Sequence, residues 1–198
     1  MNNSSNFAMP NAGEWKFLLS WIALSTIGSL LGIVAGFFVT LLTGGFTANG
    51  FPLGWTVVWA ILGFFQWLLL KGRIKRSSLW IAASAIGGAV ALLVCVLTSY
   101  SISTNALSDF FYNFLSFEPS NDNKLFSLFK IGAINEAIVG TAQWFLLKRQ
   151  ISRAGWWIPV SALGGAMILP PISAAIKGLA LVLMFRQTTS KPDSYIEQ

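Results

Sequence analysis

Two ionisable residues, Glu136 and Lys177, stand inside long apolar stretches of the sequence. A charged side chain in such surroundings costs on the order of 2.5 to 3.5 kcal/mol by insertion scales, unless it is paired, neutralised or beside water. The chemistry that suits such groups is the binding of a substrate or an ion, or the relay of a proton. The structural alternative is a buried Glu136–Lys177 ion pair that fixes how the end of the chain docks. In a third interpretation Lys177 extends outward, since it follows the Pro170-Pro171 bend closely.

Three amide residues accompany this pair, namely Gln66, Gln143 and Asn135. Gln143 follows Glu136 by seven positions, so a helix places both on one face, and Asn135 adjoins Glu136. Because side-chain amides hydrogen-bond across helices in apolar surroundings, we expect Gln66 and Gln143 to be interhelical clamps. The alternative is that they line the inner mouth of a path. All five residues are candidates for a binding site or a buried pair.

The composition excludes most familiar enzyme chemistry. Of the 198 residues 55% are hydrophobic and only 10% are charged, whereas soluble domains carry roughly 25% charge. With no His, and with the single Cys95 in an apolar run, no zinc set, disulfide, Cys/His nucleophile or His-ligated haem is expected. Phosphate-loop, nucleophile-elbow and dinucleotide motifs are also missing from the sequence. We therefore predict an integral membrane protein that is not an enzyme and has no catalytic residue, metal or cofactor.

Apolar runs of about 20 residues predict helices that cross a bilayer. Six spans follow, and the last two are short because two prolines divide the final run. They cover 17–43, 53–70, 79–100, 125–147, 156–169 and 172–185. A helix over 105–117 is expected to lie in the outer interface. Segments 1–14 and 187–198 are expected to be a disordered N-terminal tail and a mobile C-terminal tail.

Basic residues cluster in two links between spans and after the last span. They are Lys71, Arg73, Lys75 and Arg76, then Lys148, Arg149 and Arg153, and finally Arg186 and Lys191. The other links are uncharged or mainly acidic, so the positive-inside rule predicts that both termini are cytoplasmic. The net charge of +6 is explained by this bias and by anionic lipid headgroups. Nucleic acid is not an expected partner, because aromatic and basic residues do not alternate.

Two sequence patterns recur along the chain. The pattern W-I-x-x-S-x-x-G begins at three tryptophans, Trp21, Trp80 and Trp157. A second pattern covers 63–71 and 140–148, and 178–186 is a decayed copy with Leu181-Val182 where Gln-Trp would stand. These repeats predict an all-α fold of three parallel two-helix units, related by an axis along the membrane normal. The tryptophans near the basic links are expected to be anchors in the interfacial belt: Trp67, Trp80, Trp144 and Trp157.

The Q-W-x-x-L and W-I-x-x-S-x-x-G motifs resemble those of a family of small polytopic membrane proteins common in cyanobacteria, typically written Q-W-x-x-L-R with a following W-W. The resemblance covers roughly residues 15 to 186 and rests on Gln66-Trp67, Gln143-Trp144 and Trp156-Trp157. It implies a polytopic fold in a bacterial inner membrane or a thylakoid membrane, and it implies no activity. This chain departs from the pattern with Lys71 and Lys148 at the end of the block.

Two functions are compatible with these features. The first is a non-enzymatic subunit, assembly factor or anchor that packs in the lipid bilayer against other membrane proteins or a second copy of itself. Its support is the stripe of small residues at Gly28, Gly32 and Gly36, which lets helices approach closely. The second is a small carrier or channel with Glu136 and Lys177 as a midplane site. Pigment or lipid binding through Glu136, Gln66 or Gln143 is a third hypothesis that no specific feature favours.

Overall fold

A computed structural model describes residues 10–45, 50–100, 122–151, 153–167 and 169–189, and these residues form helices and turns without any β-strand. Six α-helices follow in the order of the six predicted spans. They are α1 Ala12–Leu42, α2 Gly50–Leu70, α3 Leu79–Tyr100, α4 Asp122–Leu147, α5 Trp157–Ala166 and α6 Pro170–Thr189. A short 3-10 turn, Ala154–Trp156, precedes α5. The interfacial helix expected over 105–117 lies outside the described residues.

Helix boundaries differ from the predicted spans where local hydrogen bonding decides them. Helix α1 begins at Ala12, within the segment expected to be a disordered tail, because Asn11 and Glu14 form a capping box. The Asn11 side chain accepts from the Glu14 backbone N–H at 2.9 Å, and the Glu14 carboxylate accepts from the Asn11 N–H at 2.7 Å. Helix α6 begins at Pro170 rather than two residues later, since proline fits the first helical turn, where the backbone N–H needs no intrahelical acceptor. It extends to Thr189, beyond the predicted end of the last span.

The helices form a closed ring. Each helix packs against the next one in chain order, and α6 packs against α1. The turns 71–78 and 148–151 lie at one end of this ring, together with the start of α1 and the end of α6. We call this end the basic end. Gln150 joins the two turns by accepting from the Lys75 backbone N–H at 2.5 Å and donating to the Lys75 carbonyl at 3.2 Å.

An ion pair between Glu14 and Arg186 sets the register of α1 against α6 at the basic end, with a nitrogen–oxygen distance of 2.5 Å. Glu14 precedes the apolar run of α1, and its hydrogen bond from Arg186 holds the pKa of the carboxyl well below its ordinary value. Further along, Gly178 lies beside Trp21. The two helices are therefore antiparallel, and the start of α6 at Pro170 is level with about residue 30 of α1.

The third hairpin, α5 with α6, is shorter than the first. Helix α5 has 10 residues and α1 has 31, which correspond to about 15 Å and about 46 Å at 1.5 Å per residue. Because α6 begins level with about residue 30 of α1, the end of α1 from Ile33 to Leu42 extends beyond it. The wall that the third hairpin contributes to the ring is therefore shorter, along the helix direction, than the wall formed by α1.

Glycines allow α1 to approach α2 closely and α4 to approach α5 closely. A Cβ atom at Gly36 of α1 would lie 2.6 Å from the Gly54 carbonyl oxygen of α2, and a Cβ at Gly54 would meet the Gly36 carbonyl oxygen in return. Gly132 of α4 and Gly165 of α5 face each other in the same reciprocal way. Small residues at such contacts bring backbones together and add van der Waals contact.

The outward surface of the helices is apolar. Helices α1 and α2 are long and apolar enough to cross a bilayer. On α1 the large apolar side chains that face outward include Leu19, Ile27, Leu30, Leu31, Val34, Phe38 and Leu42. Exposed apolar side chains also occur on the other helices, among them Ile86, Phe145, Leu163 and Leu179. Soluble monomers rarely expose contiguous apolar surface on this scale.

We expect Gly36→Ala to lower the stability of the ring by about 1–3 kcal/mol, because the added methyl group overpacks the contact with Gly54. The measurement is thermal unfolding of the purified protein in a mild detergent. Gly155→Ala is the matched control, since nothing lies within 4 Å of a Cβ atom at Gly155. Equal unfolding temperatures for the two variants would contradict the importance of this contact.

Candidate functional site

Two buried glutamine–tryptophan hydrogen bonds join neighbouring helices near the basic end. The Trp80 Nε1–H of α3 donates to Gln66 Oε1 of α2 at 3.0 Å, and the Trp157 Nε1–H of α5 donates to Gln143 Oε1 of α4 at the same distance. Gln143 also donates from Nε2 to Ser84 Oγ of α3 at 2.9 Å. Gln143 thus connects three helices, as an interhelical clamp would.

The expectation that Trp80 and Trp157 are interfacial belt anchors is wrong. Both side chains are completely buried, and their rings pack edge to face with centroids 5.7 Å apart. A tryptophan remains at an interface when its indole N–H needs a wet environment, but here a glutamine inside the ring supplies the acceptor. Trp67 and Trp144 are only partly buried, and the ammonium group of Lys148 lies 4.6 Å from the Trp144 ring centroid.

The contact between α6 and α1 lacks the equivalent glutamine. Leu181 stands at the position that corresponds to Gln66 and Gln143, and it is fully buried. Trp21 Nε1 and Ser161 Oγ, which correspond to the partners of Gln143, have no hydrogen-bond partner in the part of the chain that the structure describes. Trp21, Trp80 and Trp157 belong to one buried cluster with Leu70, Leu147 and Leu181. This tryptophan cluster fills the interior of the ring at the basic end.

Glu136 and Lys177 form an ion pair inside the ring. Lys177 Nζ of α6 lies 2.7 Å from Glu136 Oε1 of α4, and the two side chains are 7% and 14% exposed. Lys177 therefore points inward, which excludes the outward extension. Helix α5 lies between the two helices, and its adjacent glycines make room for the pair. A Cβ at Gly165 would lie 2.5 Å from the Glu136 side chain, and one at Gly164 would lie 3.4 Å from Lys177 Cε.

A cavity of about 330 Å³ occupies the interior of the ring beyond the tryptophan cluster. It begins at Ser25 and Gln66 and extends to Thr40 and Phe51 at the opposite end. Four of the five residues predicted as a site line this cavity, namely Glu136, Lys177, Asn135 and Gln66. Gln143 is not among the lining residues, because its amide is engaged by Trp157 and Ser84. Glu136 and Gln143 therefore do not form one site: Glu136 lines the cavity, whereas Gln143 joins neighbouring helices.

The lining residues that the sequence did not single out as site residues include Ser25, Trp55 and Trp59. Phe51, Trp55 and Trp59 are spaced by four along α2, a signal that was available in the sequence, since this spacing places them on one helical face. Unpartnered polar atoms of the lining, within the described residues, are Ser25 Oγ, Trp55 Nε1, Trp59 Nε1 and Asn135 Oδ1.

The lining of the cavity contains hydrogen-bond donors without an acceptor in the described residues, namely the indole N–H groups of Trp55 and Trp59. An indole supplies a donor only and an ammonium group supplies three donors, of which Glu136 uses one. The acceptors include Asn135 Oδ1, the Glu136 carboxylate and hydroxyl oxygens such as Ser25 Oγ, which can also donate. No group of three or more His, Cys, Asp or Glu residues that would hold a metal ion occurs among the described residues. The arrangement suits a molecule with an apolar body and a small number of polar atoms.

We expect Gln143→Leu to destabilise the protein by about 1–3 kcal/mol, because it leaves the buried Trp157 N–H without an acceptor. Gln66→Leu should cost less, since Gln66 makes one such bond and Gln143 makes two. Thermal unfolding of both variants in the same detergent measures the order. A larger loss of stability in Gln66→Leu than in Gln143→Leu would contradict the greater contribution assigned to Gln143.

Lys177→Met should destabilise the protein by about 3–5 kcal/mol, because it leaves a buried carboxylate unpaired. Glu136→Gln should also destabilise it, and the double variant should lose much less than the sum of the single losses. Unfolding of the four proteins in a double-mutant cycle measures this coupling. Lys16→Met, at an exposed lysine, is the control. Additive effects of the two single changes would contradict a coupled pair.

The chain matches no family model, and no curated protein or solved structure is similar to it. Membership of the cyanobacterial membrane-protein family therefore stays a prediction from Gln66-Trp67, Gln143-Trp144 and Trp156-Trp157.

Proposed function

We propose that this chain is an integral membrane protein that binds a small molecule within its helical ring and acts as a carrier or a binding protein. The observation that carries the proposal is the Glu136–Lys177 pair in the wall of a cavity of about 330 Å³. Small-molecule sites typically measure about 300–1,000 Å³ and combine apolar walls with a few placed polar groups. This proposal corresponds to the carrier alternative of the two sequence hypotheses.

The membrane location is supported by the surface of the helices. Outward side chains such as Leu30 and Phe38 of α1 are apolar and exposed, and the candidate charges Glu136 and Lys177 face inward, as expected for groups at membrane depth. We propose that all six helices span a bacterial inner membrane or a thylakoid membrane. The basic end is then cytoplasmic, together with both termini.

The threefold repeat is supported by equivalent contacts at the two junctions between successive hairpins. Gln66 with Trp80 and Gln143 with Trp157 make the same hydrogen bond at the same distance. The third hairpin departs from this pattern through Leu181, and it carries Lys177. We propose that the third copy diverged from its sisters because it contributes to the site.

A carrier or binding protein fits the geometry better than an open channel. The fully buried side chains of Trp21, Trp80 and Trp157 fill the ring at the basic end, so the cavity ends there. A molecule would reach Glu136 and Lys177 from the opposite end, and passage across the membrane would require the tryptophan cluster to rearrange.

The other sequence hypothesis, a subunit, assembly factor or anchor that acts by packing, remains a prediction. The glycine stripe that supported it, Gly32 and Gly36, is occupied within the chain by Val58 and Gly54 of α2. The exposed apolar side chains of α1 are what contact with lipid requires. No contact in the described residues favours a protein partner over lipid.

Filling the cavity tests the proposal. Ser29 lines the cavity, so Ser29→Phe should displace a bound molecule, whereas Ala23→Phe on the exposed face of the same helix should not. The wild-type protein and both variants are purified in mild detergent, and native mass spectrometry identifies bound small molecules. We expect a bound molecule in the wild type and in Ala23→Phe and its loss in Ser29→Phe.

Size-exclusion chromatography and thermal unfolding establish that both variants are folded. A wild-type protein that carries no small molecule would contradict the proposal. Equal retention in all three proteins would contradict it as well, because the molecule would then be bound outside the cavity.

A further inference from the structure

We infer that the ligand of this cavity is an electrically neutral amphiphile whose head carries two or more hydrogen-bond acceptors, such as the carbonyl oxygens of a ring. Its apolar body extends toward the end of the ring opposite the basic end, and it enters sideways from the bilayer. This inference rests on the proposed function and names the class of molecule that the site would take.

Charge balance in the cavity favours a neutral ligand. The ammonium group of Lys177 is already paired with the Glu136 carboxylate at 2.7 Å, so the ionic groups of the lining sum to zero. An anion or a cation would bring an uncompensated charge into apolar surroundings, which is costly. A neutral molecule avoids this cost and leaves the ion pair intact.

Three of the four unpartnered groups of the lining can donate and so call for acceptors on the ligand, whereas the fourth, Asn135 Oδ1, is itself an acceptor. Trp55 Nε1 and Trp59 Nε1 are buried donors without a partner in the described part of the chain, and an indole N–H cannot accept. Lys177 has two further protons, and Ser25 Oγ can also donate. A carbonyl oxygen is an acceptor only, so a head with two carbonyl groups satisfies these donors without adding new unpaired ones.

An aromatic ladder on α2 provides a surface for the head. Phe51 and Trp55 have ring centroids 5.9 Å apart, and Trp55 and Trp59 have centroids 6.4 Å apart. All three residues line the cavity. A planar ring can pack against such side chains while its carbonyl groups reach the indole N–H groups at their edges.

The mouth of the cavity is apolar and lies beside the short third hairpin. Ile33 and Phe37 of α1 line the cavity, and both are 48% exposed. They lie beyond the level at which α6 begins. Met167, between α5 and α6, is 37% exposed and lines the same region. A mouth of this composition suits a molecule that arrives from hydrocarbon and leaves its apolar tail there.

Two probes with the same tail test the inference. The full-length protein is placed in phospholipid nanodiscs, and its Tm is measured with a benzoquinone that bears a ten-carbon alkyl chain or with decylbenzene, which lacks carbonyl groups. A ligand that binds the folded state raises Tm in a concentration-dependent way. We expect the quinone to raise Tm at concentrations at least about 10-fold below those required for decylbenzene, since two hydrogen bonds are involved.

Tryptophan-to-phenylalanine variants locate those hydrogen bonds. Trp55→Phe and Trp59→Phe keep an aromatic ring and remove the N–H, and each should weaken quinone binding about 5-fold. Trp67→Phe is the matched control, because Trp67 does not line the cavity. The comparison of the two probes uses the wild-type protein, so it stands even where a variant fails to fold.

The outcomes separate the inference from the proposed function. Equal binding of quinone and decylbenzene, abolished for both by Ser29→Phe, would overturn the acceptor class and leave the cavity as a binding site. A Tm that responds to neither probe, or a response unaffected by Ser29→Phe, would overturn the inference, while the molecule that co-purifies with the wild type independently decides the proposed function.

Discussion

The free-energy cost of placing a polar group in apolar surroundings without a partner governs the interior of this protein. The ring contains few polar side chains, and the best connected of them are joined across helices, as in the Gln143 clamp and the Glu136–Lys177 pair. Because such bonds cannot exchange with water, each one restricts the rotation and register of two helices at once. The remaining unpaired groups are therefore the places where the arrangement departs from simple packing.

Six of the seven unpaired polar atoms that are buried in the described residues fall into two sets with different surroundings, and the seventh is Thr26 Oγ1. Trp21 Nε1 and Ser161 Oγ correspond to the groups that Gln143 pairs, and the apolar Leu181 stands at the corresponding position of that amide. The others line the cavity, as Trp59 Nε1 and Asn135 Oδ1 do. The first set is explained by divergence of the third hairpin within a closely packed cluster. The second set belongs to residues that line the cavity, where a bound molecule with acceptor groups would satisfy the indole donors.

Unequal hairpins create the volume. Close glycine contacts bring α1 against α2 and α4 against α5, as at Gly36 with Gly54 and at Gly132 with Gly165. The third hairpin is too short to accompany α1 along its whole length, and it brings Lys177 to the interior. If the third hairpin had matched its two sisters, the interior would lack the Lys177 ammonium group and the wall of the ring would have no short side. The close glycine contacts thus hold the helices that form the walls of the cavity, and the short third hairpin leaves the cavity open on one side.

Sequence alone determined the helices, because the apolar runs and the prolines at 170 and 171 have local physical consequences. It also singled out Glu136, Lys177, Gln66, Gln143 and Asn135, since polar groups in apolar runs are costly wherever they lie. The capping box of Asn11 and Glu14 also depends only on neighbouring residues, but a count of apolar residues does not detect it. Tertiary structure alone decided which partner each polar group takes. Periodicity specifies a face of one helix, whereas a hydrogen bond between helices depends on the relative rotation and register of two helices. For this reason the sequence could not show that Trp80 and Trp157 are buried. For the same reason only the fold revealed the cavity beside Trp55 and Trp59.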